Sequence, residues 1–369
     1  MMKMFVISNM YPSKKNPSYG IFIKKFVMAL TPDSFTLSRL TAIYGKPIGK
    51  FKKLTSYLKF YIDIFNGILF SSYDFIYVHY ISHSSLALLI LDKFIKKPLL
   101  LNFHGGDLFP TNGIERFLQK YVEKVVRKAA LIVVPSVFFK NIIVEKFNIE
   151  PKSVYVYPSS GIDINLFKPI ATKREENVFT IGFVSRIVTG KGWDILLKAI
   201  SILISQGLES KIKVKIAGNG AQEDEFAIMI EELGLQHVIE YLGEVPNNEL
   251  PELLNSFDVF VFSTQMEESL GLILLEAMAC GTLAITSNHA AMATYIQDEE
   301  NAFFFKKGSP EQLANTLLKV MNLSQERREE VKNNGLACAR TFNQTSQNEL
   351  FILQIKEILK DHADRNNRN

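Results

Sequence analysis

A chain of 369 residues with 47% apolar content is too long for one comfortable core and long enough for two, each of roughly 150 to 200 residues. Its 20 glycines and 13 prolines exclude a collagenous, disordered or low-complexity chain, and no fixed-period repeat is visible. The formal charge of +4 divides at Pro169: residues 1–169 carry 23 Lys or Arg against 10 Asp or Glu, net +13, and residues 170–369 carry 19 against 28, net −9, so the first half should attract anionic partners.

Two cysteines, Cys280 and Cys338, lie far apart without a further Cys or His at ligand spacing, which argues against a disulfide framework and a zinc site and fits a reducing compartment. The opening Met-Met-Lys-Met-Phe-Val-Ile-Ser-Asn runs directly into a strand-like segment and lacks the pattern of a secretory signal, so a cytoplasmic location is expected. The longest apolar stretches, such as 86–91, fall far short of the ~18 residues that span a bilayer, and the run at 257–262 is interrupted by Asp258.

In chain order, β-branched and aromatic runs alternate with segments of helical periodicity, the signature of parallel sheets built from βαβ units. The first half reads as strands at 4–9, 75–80, 99–103, 131–134 and 154–157, with helices near 20–30, 114–129 and 138–146. Between Ile48 and Leu69 the apolar residues Ile48, Phe51, Leu54, Leu58, Tyr61, Ile62, Phe65, Ile68 and Leu69 recur at helical spacing beside Lys50, Lys52, Lys53 and Lys59. Such a basic amphipathic helix fits either an anionic membrane surface or a core contact with a solvated face, and the +13 charge favours the membrane. A Pro-Ile-Ala-Thr-Lys-Arg-Glu-Glu-Asn stretch at 169–177 reads as a linker. The second half reads as strands at 180–184, 213–217, 239–242, 259–262 and 283–286, with helices beginning near Trp193, Gln222, Asn247, Gly271, Met292 and Pro310. A terminal helix at 347–359 presents Leu350, Phe351, Leu353, Ile355, Ile358 and Leu359 for packing. The expected domains are therefore 1–169, 170–346, and a closing helix and tail at 347–369 that crosses back to the first domain. Two doubly wound domains leave a cleft at the carboxyl ends of their strands, where ligands bind in this architecture.

The sharpest constellation is Glu268-Ser-Leu-Gly-Leu-Ile-Leu-Leu-Glu276-Ala-Met-Ala-Cys-Gly281, which follows a strand and opens a helix. Gly271 permits close backbone approach where the helix begins, so the free N–H groups of residues 271–273 can meet a phosphate with help from the helix dipole. Two glutamates eight apart are by themselves usually a solvated face. Glu276, however, is flanked by Leu274, Leu275, Ala277 and Met278, where charge is rarely found without a partner.

This segment resembles the Glu-x7-Glu signature of family 4 retaining glycosyltransferases, which adopt the GT-B fold. The resemblance extends through Gly182-Phe-Val-Ser-Arg186-Ile-Val-Thr-Gly-Lys191-Gly192, Ile216-Ala-Gly218-Asn-Gly220, Leu242-Gly243-Glu-Val245, Asn102-Phe-His104-Gly105-Gly106-Asp107, Tyr19-Gly20-Ile-Phe-Ile and Ser160-Gly161-Ile-Asp163 with Phe167 and Pro169. It implies two Rossmann-like domains facing a central cleft. It further implies that Arg186 and Lys191 grip the diphosphate, that Glu268 holds the donor sugar and Glu276 the ribose, and that Gly271 and Leu272 hold phosphate oxygens. Val245 is implied beside the base, His104 beside the donor sugar and Gly20 beside the leaving phosphate or acceptor. Fixed cations aimed at a departing nucleoside diphosphate stabilise charge that builds in the transition state.

The resemblance implies a hexosyl transfer with retention, from a nucleotide diphosphate sugar, commonly of uridine, to a carbohydrate acceptor, commonly lipid-linked, in surface polysaccharide assembly. No Asp-x-Asp pair occurs, so no obligatory metal and no further cofactor is expected; Glu223-Asp224-Glu225 reads as dipole stabilisation of a helix start. Ser160 stands where the family usually has Asn, and Ala290-Ala291-Met292-Ala293-Thr294 replaces Gly-Gly-x-Pro-Glu, departures that bear on the donor and acceptor contacts and leave the diphosphate grip intact. Other readings are a soluble acceptor, a sugar-nucleotide-binding protein without turnover, and a nicotinamide-dependent dehydrogenase resting on Gly218-Asn-Gly220, whose third glycine is missing. Nucleic acid is disfavoured, because the basic residues are scattered over helices without a binding module.

Overall fold

The protein is described here by a computed structural model, which covers all residues except 32, 111–112, 173–176 and 367–369. The chain forms two compact units, one of Met1–Ser160 with Thr345–Asn369 and one of Gly161–Gln344.

The first unit runs β1 (Met2–Tyr11), α1 (Ile21–Leu30), β2 (Phe35–Tyr44), α2 (Lys50–Phe70), β3 (Phe75–His79), α3 (Ile81–Ile90), β4 (Leu99–Asn102), α4 (Gly113–Val126), β5 (Leu131–Val134), α5 (Val137–Phe147) and β6 (Val154–Val156). Its six parallel strands lie in the order β2-β1-β3-β4-β5-β6. β3, β4 and β5 are buried on both faces, which is why they read as unbroken apolar runs.

The second unit runs β7 (Phe179–Val184), α6 (Trp193–Ser205), β8 (Ile212–Ala217), α7 (Glu223–Glu232), β9 (Ile239–Gly243), α8 (Leu250–Asn255), β10 (Val259–Phe262), α9 (Leu272–Ala279), β11 (Leu283–Ser287), β12 (Phe303–Phe305), α10 (Pro310–Met321) and α11 (Gln325–Arg340). Its strand order, β9-β8-β7-β10-β11-β12, is again entirely parallel. The α10 start is set by Ser309, whose side chain accepts from Gln312 N–H, with Pro310 at the first helical position. Both units are therefore doubly wound α/β sheets, the fold class expected.

α12 (Gln344–Asn366) returns the chain to the first unit. Phe351 and Ile355 are fully buried there, and Phe351 stacks on Tyr157 at 4.2 Å between centroids and 21° between planes. The unit boundary at 160/161 precedes the expected one at 169/170, because Ile162 and Phe167 are buried in the second unit's core and Ile162 N–H donates to Phe342 O. Part of the expected linker, 173–176, lies outside the described residues.

Three further differences have local causes. The edge strand β2 was not expected, since its Thr36, Ser38, Arg39 and Thr41 dilute the apolar pattern. The helix expected from Met292 is a five-residue 3-10 turn, Ala290–Thr294, entered with Ala290 in the left-handed region at φ 52°. α2 is helical as expected, but the core contacts come from Phe60, Ile64, Gly67 and Ile68, whereas Phe51, Leu54, Leu58 and Ile62 form a separate exposed stripe.

Candidate active site

In the second unit the winding direction reverses between β7 and β10, so the loops leaving those strands diverge and open a crevice at their carboxyl ends. Arg186 and Lys191 lie on the β7 loop, Glu268 and Gly271 on the β10 loop. Lys191 Nζ meets Glu268 Oε1 at 2.6 Å, with the two side chains 14% and 16% exposed, and Thr264 Oγ donates to the same carboxylate oxygen at 2.8 Å. Arg186 is exposed and makes no ion pair or hydrogen bond through its side chain among the described residues.

Glycines hold these loops together. Gln265 N–H donates to Gly190 O at 2.8 Å and Ser263 Oγ to Gly192 O at 2.8 Å, so the two loops share backbone bonds as well as the ion pair. A Cβ on Gly192 would fall 1.9 Å from Ser263 O, and its φ is +78°. Gly218 and Gly220 play the same part towards the β8 loop: Cβ atoms there would lie 1.8 Å from Ser185 O and 2.2 Å from Ile187 O. That packing role accounts for the glycine pair that suggested a dinucleotide fingerprint.

Gly271, at φ 80°, leads into α9, and the first backbone donors with helical acceptors are Leu274 and Leu275, both to Gly271 O. The N–H groups of Gly271, Leu272 and Ile273 thus face out of the helix start, an arrangement suited to a phosphate. Glu276 lies half-buried on the side of α9 it shares with half-buried Leu272 and Ile273, while Leu274, Leu275, Ala277 and Met278 turn into the core. Val245 is half-buried just beyond β9, where Gly218 N–H donates to Gly243 O at 2.6 Å. The structure thus brings Arg186, Lys191, Glu268, Gly271 and Leu272 to the β7–β10 rim, with Glu276 along α9 and Val245 at the β9 end.

The first unit reverses between β1 and β3. Gly20, at φ 72°, closes the β1 loop, and a Cβ there would come 3.0 Å from Met10 C and Tyr11 N. His104 stands at the end of β4 with Tyr80 stacked on it at 4.8 Å and 24°. Asp107 turns back and accepts from the backbone N–H groups of His104 and Gly105 at 2.9 and 3.0 Å, both through Oδ1. Burial holds the His104 ring neutral, its pKa lowered to about 3, and raises the Asp107 carboxyl to about 6.

Sequence reasoning missed three residues here. His79 ends β3 and its Nδ1 lies 2.9 Å from His104 Nε2; Tyr80 follows in the left-handed region at φ 54°, which aims its ring at His104; Thr264 supports Glu268. His79 carries the same signal that singled out His104, a histidine ending an apolar strand, and only their proximity distinguishes the pair. Among the described residues no group of three His, Cys, Asp or Glu has metal-holding geometry, and no helix is long and apolar enough to cross a membrane.

Two doubly wound parallel units open to ligands at their strand ends are found again in known proteins. Sucrose-phosphate synthase from Thermosynechococcus elongatus superposes with a TM-score of 0.79 at 16% identity, covering 98% of this chain and 100% of that one. HepE from Anabaena, in complex with UDP and glucose, gives 0.71 at 19% identity, covering 97% and 100%. The fold is GT-B. Residues 24–165 match the model "Glycosyltransferase Family 4" and residues 167–337 the model "Glycosyl transferases group 1". Together the two matches run over residues 24–337 and support a GT-B glycosyltransferase with a family 4-like region followed by a group 1 region. Mannosylfructose-phosphate synthase of Agrobacterium fabrum is 24% identical over 53% of this chain and 46% of its own length, so the chain spans about half of that relative. A D-inositol 3-phosphate glycosyltransferase of Corynebacterium glutamicum is 24% identical over 74% of this chain and 69% of its own.

Proposed function

We propose that the protein transfers a hexosyl unit from a nucleotide diphosphate sugar, UDP-linked, to a carbohydrate acceptor with retention of anomeric configuration. The observation that carries this reading is the convergence of Arg186, Lys191, Glu268 and the open N–H groups of Gly271 and Leu272 on one rim. Arg186 and Lys191 neutralise the departing diphosphate, Glu268 and His104 hold the donor sugar, Glu276 the ribose hydroxyls and Val245 the base, while Gly20 offers backbone to the leaving phosphate or acceptor. The lysine and arginine supply the charge that a metal would otherwise bring, so no obligatory metal or further cofactor is required. The leaving phosphate accepts the acceptor's proton, which removes the need for a strong protein base.

The acceptor in this reading is lipid-linked, in surface polysaccharide or glycan assembly. The protein works at the cytoplasmic face of the membrane, where Lys50, Lys52, Lys53 and Lys59 meet anionic headgroups beside the exposed α2 stripe. The names of the relatives, a mannosylfructose-phosphate synthase, a D-inositol 3-phosphate glycosyltransferase and a sucrose-phosphate synthase, favour a soluble phosphorylated acceptor as the second reading.

The test is a panel of nucleotide sugars screened for thermal stabilisation, then incubation of the best donor with lipid-linked and sugar-phosphate acceptors and analysis of the product anomer by NMR. A ligand at 100 times its dissociation constant adds about 2.7 kcal/mol of stability. A β product from an α-linked donor would overturn retention, and stabilisation without turnover of any acceptor would leave a binding protein.

A further inference from the structure

His79 and His104 form a pair that the proposed chemistry uses on one side only. His79 is 1% exposed, ends β3, and lies in register with Asn102, two residues before His104. The ring centroids are 5.1 Å apart with 25° between planes, while His79 Nδ1 and His104 Nε2 are separated by 2.9 Å. Rings that are nearly coplanar and touch through one nitrogen each meet edge to edge, which is the geometry of a single N–H···N hydrogen bond. Phe26 packs on His79 at near right angles, 4.6 Å between centroids, and Tyr80 stacks on His104 at 4.8 Å.

One proton lies in that bond, and its owner fixes what His104 offers to a ligand. Neutral imidazole carries one N–H and one lone pair. Both rings are neutral, because burial lowers both pKa values and the neighbouring His104 ring lowers that of His79 further. If His104 were the donor, His79 would carry its own proton on Nε2, which is buried and has no hydrogen-bond partner among the described residues. Among backbone groups a buried orphan N–H is rarer than an under-satisfied carbonyl, and the same order applied to the ring nitrogens disfavours a proton on His79 Nε2. The economical arrangement is the reverse: His79 Nδ1–H donates to His104 Nε2, and the orphan on His79 is a lone pair. His104 then carries its proton on Nδ1, the ring nitrogen without a partner among the described residues.

We propose that His79 is a positioning residue that locks His104 in the Nδ1–H tautomer, so that His104 serves as a neutral hydrogen-bond donor to a substrate oxygen and not as a base. The substrate oxygen follows from the transferase reading above; the tautomer does not depend on it. A donor at this place stabilises negative charge developing on an oxygen or orients a sugar hydroxyl, and it leaves proton acceptance to the phosphate.

The experiment is 15N NMR of the full-length protein labelled at its six histidines, with His79→Leu and His104→Gln spectra for assignment. The expected result is a protonated Nδ1 and an unprotonated Nε2 on both residues, unchanged from pH 5.5 to 8. A proton on His104 Nε2, or titration of either ring in that range, overturns the proposal. In His79→Leu the His104 proton should redistribute, and in His79→Asn, whose amide can donate from near the Nδ1 position, the native tautomer should return. With a turned-over donor sugar, His79→Leu should lower kcat by about 100-fold with little change in KM, and His79→Asn should recover most of it. Equal loss in both variants would reduce His79 to packing. If the native protein turns over no nucleotide sugar, the transferase reading fails while the spectra still decide the tautomer.

Discussion

Lys191 and Glu268 are 77 residues apart in sequence and 2.6 Å apart in the fold, tying the β7 loop to the β10 loop across the point where the sheet reverses. Each is needed to keep the other solvated by charge, since a largely buried ion left alone is costly. A bound diphosphate would enter beside a cation that is already aimed and already paired with the acid assigned to the sugar.

Replacing Lys191 by Met should therefore lower kcat by about 100- to 1000-fold and also lower the melting temperature, because Glu268 loses its partner. Adding Glu268→Gln to Lys191→Met should restore the melting temperature but not the turnover. A cycle in which the stability losses simply add would show that the pair is not coupled.

Gly192 is predicted to be the least replaceable glycine of the rim. Alanine there meets Ser263 O at 1.9 Å in addition to adopting φ +78°, whereas alanine at Gly207, at φ +81°, has nothing within 4 Å. Gly207→Ala should cost about 1 kcal/mol from left-handed strain alone, and Gly192→Ala at least about 3 kcal/mol with loss of nucleotide-sugar binding. Equal melting temperatures for the two variants would remove the close-approach argument.

Asp107 gives a pH signature. Its carboxyl is raised from 3.8 to about 6 by burial. The folded protein thus holds the proton more tightly than the unfolded chain, so the stabilisation is complete below about 3.8 and is lost as pH rises through about 6. Asp107→Asn keeps an acceptor oxygen for the His104 and Gly105 N–H groups and carries no charge. The melting temperature of Asp107→Asn minus that of the native protein should therefore increase between pH 4 and pH 7. A difference independent of pH would contradict the raised value.

The exposed stripe of α2 predicts vesicle binding. Phe51 is 81% exposed, Leu54 68%, Leu58 60% and Ile62 51%, spaced three and four residues apart on one side of the helix beside exposed lysines. In flotation assays the protein should bind phosphatidylglycerol vesicles at low salt and neutral phosphatidylcholine vesicles much less. Phe51→Ser with Leu58→Ser should weaken binding by at least about tenfold without altering the circular dichroism. Absence of binding to the anionic vesicles would remove the membrane from the proposed function.

Much of this architecture was legible from periodicity. Strands such as Leu131–Val134 and Val259–Phe262 are buried on both faces and announce themselves as apolar runs. The edge strand Phe35–Tyr44 was not legible, because an edge tolerates Ser38, Arg39 and Thr41. Helix α3 was missed for a related reason: Ser82, Ser84 and Ser85 are buried polar residues that break the apolar pattern, two of them bonding back to Ile81 O and Ser82 O.

The sequence by itself determined the two doubly wound sheets, the helix that opens at Gly271 and the motif residues at the strand ends, because backbone propensity and apolar period are local properties. Tertiary structure alone decided which of those residues meet. The 2.6 Å bond from Lys191 to Glu268, the glycine Cβ positions that only an absent side chain permits, the exposure of one α2 face and the pairing of His79 with His104 all depend on chain segments far apart in sequence. Such distances are set by strand order and loop packing, which no local pattern encodes.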